Sequence, residues 1–259
     1  MGSEMCIRDR TRLGIRSAFF FVARRGSLAK YARGTPDPFY DIRTPRFRSL
    51  LRELAGRGFE VALQPSYRAW EQPGALLREK AVLEEALGGE VAGSRHHYWR
   101  LDPGEPAETL LAHEQAGLLY DCSLAFERLI GWRRGIAWPF HPFVPRLRRA
   151  VETVQLPTAW MDNQVFGHAS FNETHTAEAR DEALAALVNR AADTGGVFVS
   201  DIHEYVFDDA LFPDWRGTHD RLWDAIVARG DAWIAPPAEV ARQWRGHEQR
   251  LHAASQGLR

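Results

Sequence analysis

Cysteine is scarce in this chain, and long apolar segments are missing. Cys6 and Cys122 are the only two cysteines among 259 residues, which excludes a disulfide framework and a thiolate metal cluster. The longest apolar run, residues 18–23, is far shorter than the roughly 20 residues that a membrane-spanning helix needs. No basic segment followed by an apolar stretch and a small-residue cleavage site occurs near the start. We expect a cytoplasmic protein, whose true N-terminus is not visible in this sequence.

The chain also lacks an excess of charge of either sign. It has 33 Lys and Arg against 34 Asp and Glu, which gives a formal net charge of -1. A near-neutral chain gives no electrostatic reason for nucleic acid or an anionic membrane to be its main partner. We interpret the basic run at residues 146–149 as a solvated helix face. With 45% hydrophobic and 26% charged residues, the composition is that of an ordinary globular protein.

The first ten residues differ from the rest of the chain. Residues 1–10 (MGSEMCIRDR) show no periodicity, and we interpret them as a non-native leader, either a cloning remnant or the translation of a sequencing adapter. The natural start of the protein is then not visible. We expect residues 11–250 to form one domain and residues 251–259 a C-terminal tail, because no repeat, low-complexity tract or linker interrupts the chain.

After the leader, short apolar runs alternate with amphipathic stretches. Helical spacing of apolar residues predicts helices over residues 45–57, 74–87, 105–116, 177–192, 219–229 and 237–250. β-rich runs predict strands over residues 17–22, 59–63, 118–121, 196–202 and 232–235. This alternation, repeated about six times, predicts a parallel sheet covered by helices, either a barrel or a doubly wound sheet.

Polar residues at the ends of predicted strands favour the barrel. Five of them lie at or just after the carboxyl end of a strand: Gln64, Arg95, Asp121, Asp162 and His203. That end is the face on which barrel active sites are built. We therefore expect an α/β barrel with functional side chains at its carboxyl-terminal face.

His203 is the strongest single candidate for catalysis. An imidazole at a strand end can act as general acid or base near neutral pH, although a hydrogen-bonded structural histidine is the alternative. Residues 95–98 (Arg-His-His-Tyr) are the second candidate. Arg95 is expected to hold a carboxylate. Adjacent histidines on a strand point to opposite sides, so His96 and His97 cannot both face the cavity.

Other polar and aromatic residues are candidates for substrate binding. Gln64 and Tyr67 flank a proline-fixed turn, and an amide binds sugar hydroxyls better than a divalent metal. Asp121 and Asp162 can bind substrate, but a strand-end carboxylate is equally suited to capping a helix. Trp132 lies in a stretch rich in Trp and Phe whose rings can stack on sugars, although core packing is the commoner role.

Five motifs, in order and at regular spacing, resemble one protein superfamily. They are residues 58–67 (GFEVALQPSY), 93–100 (GSRHHYWR), 117–124 (GLLYDCSL), 131–135 (GWRRG) and 201–203 (DIH). The chain resembles the polysaccharide deacetylase superfamily, the carbohydrate-esterase domain shared by chitin, peptidoglycan and nodulation-factor deacetylases. The similarity is greatest to a bacterial branch associated with cell-surface polysaccharide loci and extends from about residue 15 to residue 244.

The resemblance implies a distorted (β/α) barrel and a hydrolase that removes N- or O-acetyl groups from an oligo- or polysaccharide. In such enzymes a divalent metal such as zinc polarises the acetyl carbonyl and activates a water molecule. An Asp on the first strand acts as general base. By motif matching, His203 protonates the leaving group and Arg95 corresponds to the arginine that positions the base.

The chain departs from the family pattern at its metal site. The first motif, which carries the catalytic Asp and one metal ligand, has no counterpart in residues 1–16, so the first strand is expected to be missing. The first metal-binding His is replaced by Gln64, and the second falls on Arg68, a cation that repels a metal. His97 can supply one replacement ligand, but one histidine cannot hold a catalytic metal. We therefore predict no metal ligands in this chain.

These departures leave three interpretations of function. The first is an impaired deacetylase that uses His203, Arg95 and His97. The second is a non-catalytic glycan-binding relative in which Tyr67, Tyr98 and the Trp residues stack on sugar. The third is a metal-independent amide hydrolase that uses Arg95 and His203. A missing strand also exposes backbone groups at a sheet edge, so we expect low stability or self-association.

Overall fold

The computed structural model describes Ile7, Arg10, Thr11, residues 13–165 and residues 176–256. Its strands are β1 (Ala18–Phe21), β2 (Glu60–Leu63), β3 (Gly93–Ser94), β4 (Tyr120–Asp121), β5 (Phe143–Val144), β6 (Arg149–Ala150), β7 (Val154–Gln155), β8 (Thr158–Met161) and β9 (Val199–Asp201). Its helices are α1 (Leu28–Tyr31), α2 (Pro45–Gly56), α3 (Ala75–Leu87), α4 (Pro106–Gln115), α5 (Asp162–Val165), α6 (Ala177–Thr194), α7 (Trp215–Arg229) and α8 (Pro237–Gln256). The alternation confirms the predicted mixed α/β class.

The chain divides into two compact units. One, here called the five-strand unit, consists of Arg16–Ser123, Pro139–Leu156 and Ala235–Arg259. The other, here called the two-strand unit, consists of Met1–Ile15, Leu124–Trp138 and Pro157–Ile234. Each unit has its own parallel strands and its own helices.

The five-strand unit contains a parallel sheet with the strand order β1-β2-β3-β4-β7. Because its strands run in the same direction, their carboxyl ends meet at one edge, and the loops that follow β1, β2 and β3 lie there. Strand β2 is continuous and apolar on both faces, with Val61, Ala62 and Leu63 buried. The short antiparallel pair β5–β6 forms a separate hairpin in the same unit.

Close contact between neighbouring strands requires glycine at one position of this sheet. Gly93 in β3 lies opposite Tyr120 in β4, and a Cβ atom at Gly93 would overlap the Tyr120 ring. The Tyr120 hydroxyl donates a hydrogen bond of 2.8 Å to Glu60 Oε1, and Glu60 Oε2 accepts 2.9 Å from the backbone N–H of Ala238. This chain of contacts joins β4, β2 and the start of α8.

The two-strand unit pairs β8 with β9 in parallel, with a register shift between Thr158 and Trp160. Helix α6 begins where Thr176 Oγ1 accepts a hydrogen bond from the backbone N–H of Ala179 and ends at Gly195, whose φ is 65°. A left-handed C-terminal glycine of this kind satisfies the last helical carbonyls. Residues that follow β8 and β9 emerge together, because the paired strands run in parallel.

The structure corrects several sequence predictions in detail. The predicted strand 17–22 was expected to be buried on both faces. Every residue of β1 is instead partly exposed, since β1 is an edge strand of its sheet. The predicted strand 232–235 is wrong: these residues have no regular structure, because Pro236 and Pro237 follow and cannot donate backbone hydrogen bonds. His96 and His97 lie after β3 rather than on it.

The chain termini also differ from expectation. Ile7 and Arg10, in the predicted leader, are helical, and Ile7 is buried. Helix α8 continues to Gln256, so most of the predicted tail is helical. That the leader is foreign, and that residues 11–250 form one domain, stay predictions. No helix in the described part of the chain combines the length and apolarity needed to cross a membrane.

Candidate functional site

The loops after β1, β2 and β3 bring a set of polar and aromatic side chains together in the five-strand unit. Asp37 belongs to the loop after β1, and it is buried. Its carboxylate Oδ1 accepts a hydrogen bond of 2.8 Å from the backbone N–H of Tyr67 and lies 3.1 Å from His97 Nδ1. Because a carboxylate only accepts, Nδ1 of His97 must carry a hydrogen. Any proton exchange between His97 and a ligand therefore goes through Nε2.

Asp37 is held in place by a tight turn. The backbone N–H of Gly26 donates 2.7 Å to the carbonyl of Pro38, and a Cβ atom at Gly26 would overlap the carbonyl of Asp37. Glycine is therefore needed for the two parts of the loop to approach this closely. The prolines on both sides of Asp37 stiffen the loop further.

A second buried carboxylate fixes the loop after β2. Glu79 in α3 accepts hydrogen bonds from the hydroxyl of Ser66 at 2.6 Å and from its backbone N–H at 2.8 Å. Burial raises the pKa of Glu79, the two hydrogen bonds from Ser66 lower it, and the nearby charge of Asp37 raises it further. These bonds position Tyr67, the residue that follows Ser66, beside the loop after β3.

Tyr67 and Tyr98 form an aromatic corner at this edge. Their ring centroids are 5.6 Å apart in a T-shaped arrangement, and Tyr98 is 69% exposed. The guanidinium of Arg100 lies over the Tyr67 ring at 4.5 Å and donates 2.6 Å to its hydroxyl. Tyr98 and Trp99 have φ angles of 56° and 49°, a left-handed conformation that is costly for bulky residues. The structure thus holds an exposed tyrosine ring in a strained turn.

Gln64 and Arg95 lie next to this corner at the strand ends. The backbone N–H of Gln64 donates 2.9 Å to the carbonyl of Phe21, and that of Arg95 donates 3.0 Å to the carbonyl of Leu63. The Arg95 guanidinium lies 4.4 Å above the ring of Phe20 in β1, which is a cation–π contact. The roles predicted for Gln64 and Arg95, substrate binding and catalysis, stay predictions.

Asp121 lies inside the same sheet, in a buried polar network. Its carboxylate accepts hydrogen bonds from Ser94 Oγ at 2.9 Å, from the hydroxyl and backbone N–H of Ser123 at 2.8 Å, and from Gln155 Nε2 at 2.7 Å. Four protein donors thus satisfy this carboxylate. The predicted contact of Asp121 with substrate stays a prediction.

His96 and His113 complete the buried network. Their Nε2 atoms are 2.9 Å apart, and His113 Nε2 lies 3.5 Å from Asp121 Oδ1. Burial lowers the pKa of both histidines to about 3, so both rings are neutral at physiological pH. Of the two adjacent histidines, His96 therefore belongs to the core and His97 to the loop edge.

The two-strand unit contains a second histidine–carboxylate pair. Asp162, the first residue after β8, is fully buried, and His203 follows β9 with its side chain 35% exposed. His203 Nδ1 lies 3.0 Å from both carboxylate oxygens of Asp162, and the His203 backbone N–H donates 2.7 Å to Oδ2. As with His97, Nδ1 must be the N–H atom, and proton transfer to a ligand goes through Nε2.

Tyr205 fixes the plane of the His203 ring. The two rings are stacked, with centroids 4.8 Å apart and an interplanar angle of 7°. The Tyr205 hydroxyl donates 3.0 Å to Asn163 Oδ1. Burial, followed by the nearby charge of Asp162, raises the pKa of Tyr205, so its phenol is neutral. A neutral ring on one face and a buried carboxylate at Nδ1 orient His203 for general acid–base chemistry.

Trp132, which the sequence suggested for sugar stacking, lies in the two-strand unit and is buried. Its indole Nε1 has no hydrogen-bond partner among the described residues. Trp138, from the same stretch, is exposed and donates 2.7 Å from Nε1 to the carbonyl of Thr194. The contact of Trp132 with substrate stays a prediction.

Sequence reasoning missed Asp37, Glu79, Asn163 and Tyr205. A signal for Asp37 was present, because a carboxylate between two prolines after a strand is held rigidly at the functional edge. Tyr205 could also have been identified from the sequence, because it lies two residues after His203. Glu79 lies on a helix whose sequence is that of an ordinary amphipathic helix. Only the fold shows that its carboxylate contacts Ser66.

The described residues do not fit the divalent metal that the family resemblance implies. Within this part of the chain, no group of three or more His, Cys, Asp or Glu side chains is arranged to hold a metal ion. Arg68, at the position of the second expected ligand, is exposed and lies 3.4 Å from Glu71. His97 is engaged through Nδ1 by Asp37, and Gln64 is a weak ligand for such ions.

Comparisons with known proteins give matches in structure but not in sequence. The chain matches no protein-family model and no curated protein. A provisionally assigned polysaccharide deacetylase from Mycobacterium smegmatis is similar at a TM-score of 0.65 and 20% identity, over 95% of this chain and 78% of that protein. A second, from Pseudomonas aeruginosa PAO1, is similar at 0.56 and 14% identity, over 82% of this chain and 69% of that protein. The chain therefore has the fold of the polysaccharide deacetylases.

Proposed function

We propose that this chain is a polysaccharide deacetylase-like hydrolase with impaired activity, which acts on acetylated sugars in cell-surface polysaccharide metabolism. The observation that carries the proposal is the His203–Asp162 pair, located where the parallel strands β8 and β9 end. The fold shared with two provisionally assigned deacetylases supports it. Four of the motifs that resemble the family, residues 58–67, 93–100, 117–124 and 201–203, include the residues that follow β2, β3, β4 and β9.

In the proposed reaction, water attacks the acetyl carbonyl, the bond from the acetyl carbon to the sugar nitrogen or oxygen breaks, and acetate leaves. The leaving atom needs a proton, which His203 in its imidazolium form gives through Nε2. The buried carboxylate of Asp162 stabilises the imidazolium and keeps Nδ1 protonated. Tyr205 prevents rotation of the ring by stacking on its face. His203 recovers its proton from the water that attacked.

The impaired activity is expected because the described residues lack ligands for a divalent metal, not because of any defect at His203. A divalent metal would supply polarisation of the acetyl carbonyl, but the described residues offer no ligand set for it. Without such polarisation, one histidine–aspartate pair contributes only the proton-transfer part of catalysis, typically about 10²–10⁴-fold. We therefore expect slow hydrolysis.

A glycan-binding protein without catalysis is the second candidate. The exposed ring of Tyr98 and its edge contact with Tyr67 favour this function, because tyrosine rings stack on sugar faces while their hydroxyls bind sugar hydroxyls. Binding alone requires neither a metal nor His203.

Release of acetate from acetylated chito-oligosaccharides, with and without added zinc, cobalt or nickel, tests the proposal. We expect slow release that falls at least tenfold in His203→Ala and in Asp162→Asn. Glu204→Gln is the matched control, because Glu204 is an exposed carboxylate next to His203. Equal release by His203→Ala and the wild type would remove His203 from the reaction. No release under any condition would reject the hydrolase in favour of the glycan-binding protein.

A further inference from the structure

One segment of the five-strand unit has a strong positive charge that the balanced total charge conceals. Residues 24–57 contain nine Lys and Arg but three Asp and Glu, a formal charge of +6 in a chain whose total is -1. One of the three acids, Asp37, is buried and bonded to His97 and Tyr67. The segment covers the loop after β1, short helix α1 and helix α2.

The same loop carries exposed aromatic rings next to Tyr98. Tyr31 in α1 is 60% exposed and Phe39 is 45% exposed, and their ring centroids are 6.2 Å apart. Asp37, two residues before Phe39, accepts 2.8 Å from the backbone N–H of Tyr67 and lies 3.1 Å from Nδ1 of His97, the residue before Tyr98. Tyr31, Phe39, Tyr67 and Tyr98 thus form one surface, here called the aromatic patch.

Cations border the aromatic patch without acidic partners. Arg25 donates 3.0 Å from Nε to the carbonyl of Phe39, and Arg33 donates 2.9 Å to the carbonyl of Ala29. Lys30, adjacent to Tyr31, reaches the carbonyl of Arg25 at 3.5 Å. In residues 13–165 and 176–256, none of these three cations pairs with a carboxylate. Their bonds to carbonyls fix their positions but leave the positive charge uncompensated.

The backbone of the patch is strained where it presents its most exposed ring. Tyr98 and Trp99 both adopt left-handed angles, which are costly for L-amino acids with bulky side chains. Strain of this kind is retained mainly where function requires it. Here the strain turns the Tyr98 ring outward, beside Tyr67 and near Tyr31.

We propose that the aromatic patch and its cations bind an anionic polysaccharide, whose sugar faces stack on Tyr31 and Tyr98 and whose carboxylates pair with Arg25, Lys30 and Arg33. This inference rests on the proposed function, in that the ligand is a glycan, and adds that the glycan is acidic. Aromatic rings beside unpaired cations match a polymer in which apolar sugar faces alternate with carboxylates. The deacetylase fold favours a glycan over a nucleic acid as the ligand.

Calorimetric titration of the full chain with oligogalacturonides, and with chito-oligosaccharides as the neutral comparison, tests this inference. We expect oligogalacturonides to bind more tightly, and more weakly as salt is added. Tyr31→Ser, Tyr98→Ser and Lys30→Glu should each weaken binding about tenfold or more, a loss of about 1.4 kcal/mol. Circular dichroism verifies that each variant is folded.

Two controls separate this surface from general effects of aromatic or basic residues. Phe143→Ser removes a 59% exposed ring from the β5–β6 hairpin, and Arg190→Glu reverses an exposed charge on α6; neither should change binding. Equal binding of neutral and acidic sugars, or unchanged binding in Tyr98→Ser and Lys30→Glu, would overturn the inference. Tighter Lys30-dependent binding of single-stranded DNA or anionic vesicles would also overturn it.

The outcomes are independent of those for hydrolysis. Acidic-sugar binding that depends on Tyr98 and Lys30, without any acetate release, would support the patch and reject the hydrolase. Acetate release that depends on His203, without preference for acidic sugars, would support the hydrolase and reject the patch.

Discussion

His97 and His203 make the same kind of contact in their respective units. Each directs Nδ1 at a buried carboxylate, Asp37 in one case and Asp162 in the other. The carboxylates accept additional bonds from backbone N–H groups, which fix their positions. A histidine held in this way has one tautomer in its neutral form, with the lone pair on Nε2. That nitrogen is the one suited to metal, sugar or proton chemistry.

Replacement of Asp162 should change the tautomer of His203. We expect neutral His203 in the wild type to carry its hydrogen on Nδ1, and Asp162→Ala to shift the population toward hydrogen on Nε2. Nitrogen-15 NMR of imidazole-labelled protein distinguishes the two forms by their ring nitrogen shifts. Glu204→Gln should leave the wild-type spectrum unchanged. If Asp162→Ala leaves the tautomer unchanged, the pair does not orient the ring.

The buried pair His96–His113 makes a different contribution, to stability. Burial lowers their pKa values to about 3, against ~6.5 in an unfolded chain. Below pH 6.5 the unfolded chain takes up protons that the folded chain cannot, so stability is complete above about 6.5 and declines toward pH 3. The decline is at most about 1.4 kcal/mol per pH unit for each histidine. Burial raises the pKa of Asp121, which offsets part of the decline.

A single substitution should reduce this pH dependence. His113→Gln retains a hydrogen-bonding group opposite His96 but removes one titrating ring. Between pH 6.5 and 5.5 we expect the variant to lose about 1 kcal/mol less free energy of unfolding than the wild type, measured by urea denaturation. His252→Gln changes an exposed histidine and should retain the wild-type slope. An identical slope in His113→Gln would show that His113 titrates normally in the folded state.

At the level of strands, the contact between β3 and β4 depends on the glycine at position 93, which has no side chain. Gly93 faces the ring of Tyr120, which is fully buried and tied to Glu60. The ring therefore cannot move aside for a Cβ atom. Overpacking of this kind costs about 1–3 kcal/mol. The loops after β2 and β3, which carry Tyr67, Tyr98 and His97, rely on this sheet for their positions.

Gly93→Ala should therefore lower the free energy of unfolding by about 1–3 kcal/mol. Gly89→Ala is the matched control, because a Cβ atom at Gly89 has only ordinary contacts with Leu87. Thermal or urea unfolding of both variants gives the comparison. A stability loss in Gly93→Ala no larger than that in Gly89→Ala would mean that Tyr120 has room to shift.

The elements differ in how well the sequence predicts them. Long helices such as α3 and α6 follow from periodicity and terminal glycines, and β2 follows from a continuous apolar run. The segment 232–235 has strand composition, but within the described part of the chain it pairs with no strand, and local sequence does not specify such pairing. The two His–Asp pairs join residues 60 and 41 positions apart. Sequence predicted His97, His203 and Asp162 individually, but their pairing requires the fold.

At the scale of the whole molecule, the larger sheet has an edge strand, β1. β1 lies at one edge of this sheet, whose strand order is β1-β2-β3-β4-β7. The backbone N–H of Glu60 donates to the carbonyl of Ser17, and that of Gln64 donates to the carbonyl of Phe21. The backbone N–H and C=O groups of the odd-numbered residues of β1 therefore point toward β2. The N–H groups of Ala18 and Phe20 therefore point away from β2. The outward N–H of Val22, next in this series, donates 2.9 Å to the hydroxyl of Tyr40.

An edge strand that carries three consecutive phenylalanines favours pairing with a second copy of the chain. We expect concentration-dependent association, measured by size-exclusion chromatography with light scattering. Ala18→Pro should reduce it, because proline removes an outward N–H and leaves the bonds to β2 intact. Ala18→Ser retains the N–H and should associate like the wild type. A monodisperse wild-type monomer with a sharp two-state melt would contradict association through this edge.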